Sequence, residues 1–348
     1  MMTSITQAFI STAFAQPTGL YTLSNQHGTQ VHITNYGARI VSLNVLDRQG
    51  NLVDTVLGFD SLEGYLNSTD PFHGAIIGRF ANRISLGVFT LNNKKYHLPV
   101  NNVPNHLHGG SHGFHNQVWE VRDVSNQSVS LHYYSPDLEG GYPGNMDCEL
   151  TYKLTDENEL LLEYRATVDQ DCPVNLTSHP FFNLNGLGSG SILNHEIQID
   201  ADAFCEVNAS LIPVAITDVT NTPFDFRLSK KAGADMQWEN DQLEFGLGYD
   251  HNMVLRGSGF RKVAQAVGNK TGICLEVFTD QPGMQFYTGN HMKGQNILRN
   301  GIRDEKQTAF CFETQHYPDA PNQPDYPDTI LKAGVEFYSK TSYRYAAR

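Results

Sequence analysis

The sequence is poor in positive charge and in long apolar runs. Its 348 residues carry 24 Lys and Arg against 37 Asp and Glu, which gives a formal net charge of −13. A protein with this field repels phosphate backbones and anionic lipid surfaces, so we expect no nucleic-acid partner and no membrane partner. No apolar run approaches the roughly 18 residues that a bilayer-spanning helix requires.

Cysteine is scarce as well. The number of cysteines is odd and no C-x-x-C pair occurs; the five positions are Cys148, Cys172, Cys205, Cys274 and Cys311. The pattern disfavours a disulfide framework and favours buried or free thiols in a reducing compartment.

The N-terminus lacks the basic start of a secretory signal. Residues 1–16 are mildly apolar, and Ala13-Phe14-Ala15 is similar to a cleavage site, but polar residues interrupt the stretch. We therefore predict a cytoplasmic protein, with export to the periplasm as the less favoured alternative. We also predict one domain over residues 1–348, with residues 1–15 as a peripheral segment.

Several common catalytic motifs are missing: the Walker A loop, G-x-G-x-x-G and H-E-x-x-H. No strand–helix–strand repeat occurs either, which disfavours a parallel α/β sheet. Segments that alternate with period two, or that form short apolar runs, recur instead between turn clusters. They are Val31–Thr34, Ser128–Leu131, Leu160–Leu162, Ile197–Asp200 and Ile273–Val277. The sequence thus predicts an all-β fold, a large antiparallel β-sandwich of two packed sheets.

Helical patterns are few and short. Asp60–Asn67 is expected to form two turns, with Asp60 or Ser61 as the N-cap. Ala232–Trp238 is a weaker candidate for a second helix.

Histidines cluster in Asn105–His115, where four lie within ten residues. His106 and His108 have strand spacing and would share a face, so a metal site must be considered. No carboxylate lies nearby to complete one, and Gly109-Gly110 permits close backbone approach to a ligand. A ligand-binding loop, a metal site and satisfied surface histidines all stay open from composition alone.

Arginine is concentrated in Gly78–Ile84, where Arg79 and Arg83 flank Asn82. The two guanidinium groups can point at ligand oxygens or bridge loops to carboxylates.

A lone histidine, His179, lies among neutral polar and aromatic residues in Asn175–Leu184. It can titrate near neutral pH without an ion pair, although a lone histidine is often structural.

Three further polar residues have either a structural or a ligand-binding interpretation. Asp250 can cap a turn or accept sugar hydroxyls, and Gln281 is held extended by the following Pro282. Glu313 shares a strand face with Ala309 and Cys311, where a ligand can reach it and where partial desolvation raises the pKa of a carboxyl.

Taken in order, these segments resemble the aldose 1-epimerases, the galactose mutarotase family. The landmarks are Asn35–Ala38, Leu57–Asp60, Gly78–Ile84, Leu107–Gly110, Asn175–Leu184, Tyr249–Asn252, Gln281–Gly283, Phe286–Asn290 and Glu313–Gln315. The resemblance implies the family's large twisted β-sandwich and interconversion of the α and β anomers of free aldohexoses such as galactose and glucose. It implies a role in hexose metabolism, no metal or other cofactor, and a monomer or homodimer.

The resemblance also implies site residues. Glu313 would be the base, His179 the acid, and His108, which precedes Gly109-Gly110, an assistant at the sugar ring. The residues that would hold the hydroxyls are Asn82, Arg83, Asp250 and Gln281.

Two departures from the family pattern concern sugar preference: Phe114-His115-Asn116 in the histidine-rich segment, and Pro180-Phe181 after His179. Three rival interpretations remain. They are a hexose-6-phosphate epimerase on the same fold, a carbohydrate-binding module without catalysis, and a metal-dependent hydrolase or oxygenase built on His106, His108, His112 and His115.

Overall fold

β-Strands account for most of the regular structure in the computed structural model, which describes residues 6–348. The strands, in chain order, are β1 (Leu20–Ser24), β2 (Gln30–Thr34), β3 (Arg39–Leu46), β4 (Leu52–Asp54), β5 (Ile76–Ile77), β6 (Arg83–Ile84), β7 (Val88–Leu91), β8 (Lys94–His97), β9 (His106–Leu107), β10 (Glu120–Val124), β11 (Ser128–Ser135), β12 (Met146–Leu154), β13 (Glu159–Val168), β14 (Cys172–Pro173), β15 (Thr177–Ser178), β16 (Glu196–Ile199), β17 (Ala201–Val207), β18 (Pro213–Asp218), β19 (Lys230–Lys231), β20 (Asp250–Leu255), β21 (Arg261–Val267), β22 (Ile273–Thr279), β23 (Gly283–Tyr287), β24 (Cys311–Gln315), β25 (Ile330–Leu331) and β26 (Phe337–Ala347). Two α-helices lie wholly within this part of the chain, α1 (Leu62–Leu66) and α2 (Asp241–Gly246).

Two large antiparallel sheets form the framework. One has nine strands in the order β10-β11-β12-β13-β26-β22-β21-β16-β19, and the other has five in the order β18-β17-β20-β23-β24. β1 to β4 form a separate four-stranded sheet, and β5 to β9, β14, β15 and β25 form two-stranded pairs. The predicted antiparallel β-sandwich is confirmed, and each predicted strand segment overlaps an observed strand. The observed strands β11, β13 and β22 extend beyond the C-terminal ends of their predicted segments.

The two large sheets meet through β24 and β26. The hydroxyl of Tyr343 donates to the Phe312 carbonyl, and the hydroxyls of Thr314 and Thr341 lie 2.5 Å apart. Even-numbered residues of β24 therefore face the nine-stranded sheet. The odd-numbered residues, Cys311 and Glu313 among them, face the other way, as strand alternation requires.

Helix α1 confirms the prediction over Asp60–Asn67, with the Ser61 side chain accepting from the Gly64 amide. The prediction of a helix over Ala232–Trp238 is wrong, because these residues form turns. Helix α2 begins later in the chain, where the Asn240 side chain accepts from the amides of Gln242 and Leu243. A side chain that satisfies the free amides of the first turn is a strong start signal, and Ala232 offers none.

Within residues 1–15, Phe9 packs against the rest of the protein. Its ring is fully buried and lies 6.1 Å from the ring of Tyr65, and its carbonyl accepts from the Thr18 hydroxyl at 2.7 Å. Residues 1–5 lie outside the described part of the chain, so the prediction of a peripheral segment stays untested for them.

All five cysteines are buried and free, as expected from their spacing. Among the helices of residues 6–348, none has the length and apolar character that a bilayer crossing requires.

Candidate active site

A cavity of about 490 Å³ collects six of the seven residues that the sequence singled out. They are Asn82, Arg83, His108, His179, Asp250 and Glu313. Gln281 does not contribute to its lining. Most of these side chains are almost completely buried, Glu313 being 2% exposed and His179 5% exposed. The residues are far apart in the chain, so the fold alone explains why they meet.

Strand pairing brings His179 and Glu313 together. The His179 backbone continues the β15–β5 pairing, since its amide donates to the Ala75 carbonyl and its carbonyl accepts from the Gly74 amide. Beyond Pro180, Phe182 exchanges both backbone hydrogen bonds with Phe310. His179 and Glu313 lie three residues from this bridge in opposite chain directions, so antiparallel register places them side by side.

The two side chains face each other across a short gap. Nε2 of His179 lies 3.5 Å from Oε1 of Glu313. Burial lowers the pKa of His179 to about 4, with the charge of Asp70 opposing the shift. Burial raises the pKa of Glu313 well above its ordinary value; Asp250 adds to the rise and Arg83 opposes it. At pH values between the lowered pKa of His179 and the raised pKa of Glu313, the pair holds one proton, because burial disfavours a charge on either partner.

The arginine motif and the histidine-rich loop lock together to orient His108. Strand β6 pairs with β9, the His108 amide donates to the Asn82 carbonyl, and the Asn82 amide donates to Nδ1 of His108 at 3.1 Å. Gly109 packs against the carbonyl of Gly78, where an added Cβ would come within 1.9 Å. Only glycine permits this approach, which holds the His108 ring at the cavity.

The hydrogen bond from Asn82 fixes the tautomer of His108. Nδ1 accepts, so the neutral ring carries its proton on Nε2, and burial holds the pKa of His108 well below its ordinary value. His108 is therefore a neutral N–H donor.

The same tautomer bears on metal binding. In residues 6–348, the ligand atoms of His108, His179 and Glu313 lie within 4.8 Å of one another, which is a possible metal-binding geometry. A metal at Nε2 of His108 would need the proton on Nδ1, where it would oppose the Asn82 amide. The donor set thus fits hydrogen bonding better than ligation.

The four histidines of Asn105–His115 do not converge. His106 bonds the Pro99 carbonyl and the Tyr142 hydroxyl, and His112 is exposed. The prediction that His106 and His108 share a strand face is wrong, because His108 has a φ of +54° and leaves the strand. His115 is buried 4.9 Å behind the Phe72 ring and does not line the cavity.

The two arginines of Gly78–Ile84 have different roles. Arg79 is buried and donates to the Ser135 hydroxyl and to nearby carbonyls, so it ties loops together. Arg83 lines the cavity, with Nη2 3.8 Å from Oδ2 of Asp250 and Nε donating to Asn102. Arg79 thus has the structural role considered for both arginines, and Arg83 faces the cavity.

A glutamine missed by the sequence analysis supports Asp250. Nε2 of Gln285 donates to Oδ1 of Asp250 at 2.7 Å, and Gln285 is directly opposite Glu313 in the β23–β24 pair. Gln281, one of the residues predicted to hold a sugar hydroxyl, instead bonds His316 and Ser339. The available signal was the alternation of β23, which puts Gln285 on the same face as Tyr287, a cavity residue.

Aromatic rings pack around His179 at the cavity wall. Phe181 lines the cavity and stacks on His179 with ring centres 5.0 Å apart, and it stacks on His73 on its other side. Phe72 also lines the cavity and contacts both His179 and His108. The cavity wall therefore combines these apolar faces with the polar groups of Arg83 and Asp250.

Comparisons with known proteins identify the family of this chain. A family profile described as aldose 1-epimerase matches residues 19–344. The galactose mutarotase of Bos taurus is 45% identical over 320 residues, covering 91% of each chain, and that of Homo sapiens is 44% identical over the same share. The solved structure of an aldose epimerase homologue from C. elegans superposes with a TM-score of 0.88 at 29% identity, covering 95% of this chain and 99% of that one. The chain therefore belongs to the aldose 1-epimerase family.

Proposed function

We propose that this protein interconverts the α and β anomers of free aldohexoses such as galactose and glucose, with Glu313 as the base and His179 as the acid. The observation that best supports this proposal is that Nε2 of His179 lies 3.5 Å from Oε1 of Glu313 at the cavity wall. Mutarotation acts on two oxygens bonded to the same carbon, C1. An acid and a base this close can reach both oxygens of one sugar.

The reaction starts from the one-proton pair with that proton moved from Glu313, where burial holds it, to His179. Glu313 removes the proton of the C1 hydroxyl while His179 delivers its Nε2 proton to the ring oxygen O5, and the C1–O5 bond breaks to give the open aldehyde. Rotation about C1–C2 presents the other face of the carbonyl. Glu313 then returns its proton to the C1 oxygen, and His179 recovers one from the attacking hydroxyl, so ring closure restores both groups.

The remaining cavity groups suit a neutral, hydroxyl-rich ligand. The neutral His108 ring presents Nε2–H to the sugar as a fixed donor. Arg83 donates to hydroxyl oxygens, Asp250 accepts from hydroxyl hydrogens, and Asn82 completes this set. Gln281 is left out of this set because both ends of its amide are already bonded.

The charges of the cavity favour a free sugar over a sugar phosphate. Its wall includes Lys293 beside Arg83, but also the carboxylates of Asp70, Asp250 and Asp304 together with Glu313. A phosphate dianion would meet this acidic lining. We expect glucose 6-phosphate at millimolar concentration to compete poorly with galactose; strong competition would favour the hexose-6-phosphate alternative.

Polarimetry on freshly dissolved α-galactose tests the proposal. The protein is expected to accelerate the approach to equilibrium, and His179→Asn to lower kcat by about 10²–10⁴ while sugar binding survives. His132→Asn, a change at a half-buried position of β11, is the matched control and should leave kcat unchanged. No acceleration by the unmodified protein would leave a binding module as the better description.

A chelator tests the metal-dependent alternative. We expect mutarotation to be unchanged after treatment with EDTA, because the proposed steps use protons alone. Loss of activity that added zinc restores would contradict this mechanism. A cytoplasmic location and a monomeric or homodimeric state stay predictions, for which cell fractionation and sedimentation are the measurements.

A further inference from the structure

The nitrogen of His179 that faces away from the cavity contacts a thiol. Nδ1 of His179 lies 3.6 Å from Sγ of Cys311, within the range of hydrogen bonds to sulfur. Cys311 is fully buried and shares the cavity-side face of β24 with Glu313. Burial raises the pKa of this thiol well above its ordinary value, and the charge of Glu313 adds to the shift, so the sulfur stays uncharged.

Proton exchange at Nε2 of His179 requires that Nδ1 keep its own proton. When Nε2 has given its proton to the sugar, a neutral imidazole must keep a proton on Nδ1, or Nε2 could not take one back. The partner of the distal nitrogen normally decides which tautomer a histidine adopts. A buried N–H also needs an acceptor, since an unpaired one costs about 1–3 kcal/mol. The sulfur of Cys311 is in place for that hydrogen.

We propose that Cys311 is a positioning residue for the acid of this enzyme: its sulfur accepts the Nδ1 hydrogen of His179 and so keeps Nε2 as the nitrogen that exchanges protons. The inference rests on the proposed role of His179. Serine proteases use a carboxylate at the corresponding nitrogen, which stabilises the imidazolium. An uncharged sulfur holds the same hydrogen without that stabilisation, so the imidazolium stays a strong acid, as protonation of a weakly basic ring oxygen requires.

Sequence position supports this assignment. Cys311 precedes Glu313 by two residues, so one strand supplies both the base and the acceptor behind the acid. The strand also pairs Cys311 with Tyr287, a cavity residue. One register therefore positions both partners of His179, and a slip of β24 would displace them together.

The test uses Cys311→Ala, Cys311→Ser and, as a matched control, Cys148→Ala, which changes a fully buried cysteine of β12. Galactose mutarotation gives kcat and KM, and nitrogen-15 NMR of the ligand-free protein gives the His179 tautomer. We expect Cys311→Ala to lower kcat about 10- to 100-fold, with KM changed less than about threefold, and to lose the pure Nδ1–H signature. The hydroxyl of Cys311→Ser should restore most of kcat and the signature, and Cys148→Ala should change neither.

The outcomes separate this inference from the proposed function. Mutarotation with unchanged kcat in Cys311→Ala would overturn the role of Cys311 alone. An unmodified protein without mutarotase activity, or an active His179→Asn variant, would overturn the proposed function. The tautomer measured in the unmodified protein needs no variant, so a predominant Nε2–H form would overturn the inference even if Cys311→Ala failed to fold.

Discussion

Strands β12 and β13 of the nine-stranded sheet differ sharply from β23 and β24 of the five-stranded sheet. Burial alternates along β12 and β13, where apolar side chains face the core and polar ones face solvent. Every residue of β23 and β24 is buried, and the cavity-side face carries polar groups. Three oxygens on that face have no hydrogen-bond partner in the described structure: Glu313 Oε2, Gln285 Oε1 and Gln315 Oε1.

This contrast assigns stability mainly to β12 and β13 and function mainly to β23 and β24. The alternating strands stabilise the protein by burying apolar area. Buried polar atoms without partners are destabilising, and they persist where a ligand supplies the missing bonds. The cavity-side face of the five-stranded sheet is thus expected to respond to mutation through catalysis, and the core face of the nine-stranded sheet through stability.

The largest effect is expected from Glu313→Gln, which should lower kcat by about 10²–10⁴ because no other group takes the C1 hydroxyl proton. The same change should raise Tm at neutral pH. Burial raises the folded pKa of Glu313, so the carboxyl favours folding below its unfolded pKa and opposes it increasingly as pH rises toward the folded pKa. Glu276→Gln on β22 is the control, and polarimetry with calorimetry measures both effects. Near-normal turnover would refute the base assignment.

The opposite outcome is expected at Leu162, which is fully buried on β13. Leu162→Ala should lower the free energy of unfolding by about 2–5 kcal/mol, because it removes buried area and leaves a cavity. Well below its Tm, the variant should keep kcat. Urea unfolding gives the stability, and Leu228→Ala, at a site 82% exposed, is the control. If Leu162→Ala lost kcat while its stability was intact, the proposed division between the two regions would fail.

The pH dependence of kcat/KM should follow the coupled pair. Below pH about 4 His179 also binds a proton, so both partners are protonated and no base remains. Above the raised pKa of Glu313 the pair loses its one proton and no acid remains. Each limb should fall about tenfold per pH unit, with the fold checked by circular dichroism. An acidic limb near the ordinary histidine pKa of about 6.5 would contradict the effect of burial.

The smallest effect is expected on the solvent face of the nine-stranded sheet. Arg344 lies 2.7 Å from Glu276 in an ion pair whose arginine side chain is 44% exposed. Arg344→Ala should lower the free energy of unfolding by less than about 1 kcal/mol, and high salt should make this loss still smaller. The variant should leave kcat unaltered. Urea unfolding at two salt concentrations measures it. A larger loss of unfolding free energy would show that this ion pair stabilises the protein more than solvent-exposed pairs usually do.

Six of the seven predicted site residues meet at the cavity, and they could be selected because their residue types and motifs match those of the family. Glu313 and His179 were assigned from strand alternation and family resemblance, and their register beside the Phe182–Phe310 bridge explains why they meet. The choice of Gln281 over Gln285 shows the limit, since both are neutral amides in one motif and only strand pairing distinguishes them.

The sequence by itself determined the strand-rich class, through period-two alternation, and the family, through ordered motifs. Only the tertiary structure gives the geometric reason for two choices that the resemblance implied: Arg83 and His108 line the cavity, whereas Arg79 and His106 do not. Backbone turns with positive φ at Asn82 and His108 redirect the side chains, and strand pairs between distant segments set their neighbours. Spacing along the chain cannot report such turns or pairings, because they depend on contacts that form only when the sheets pack.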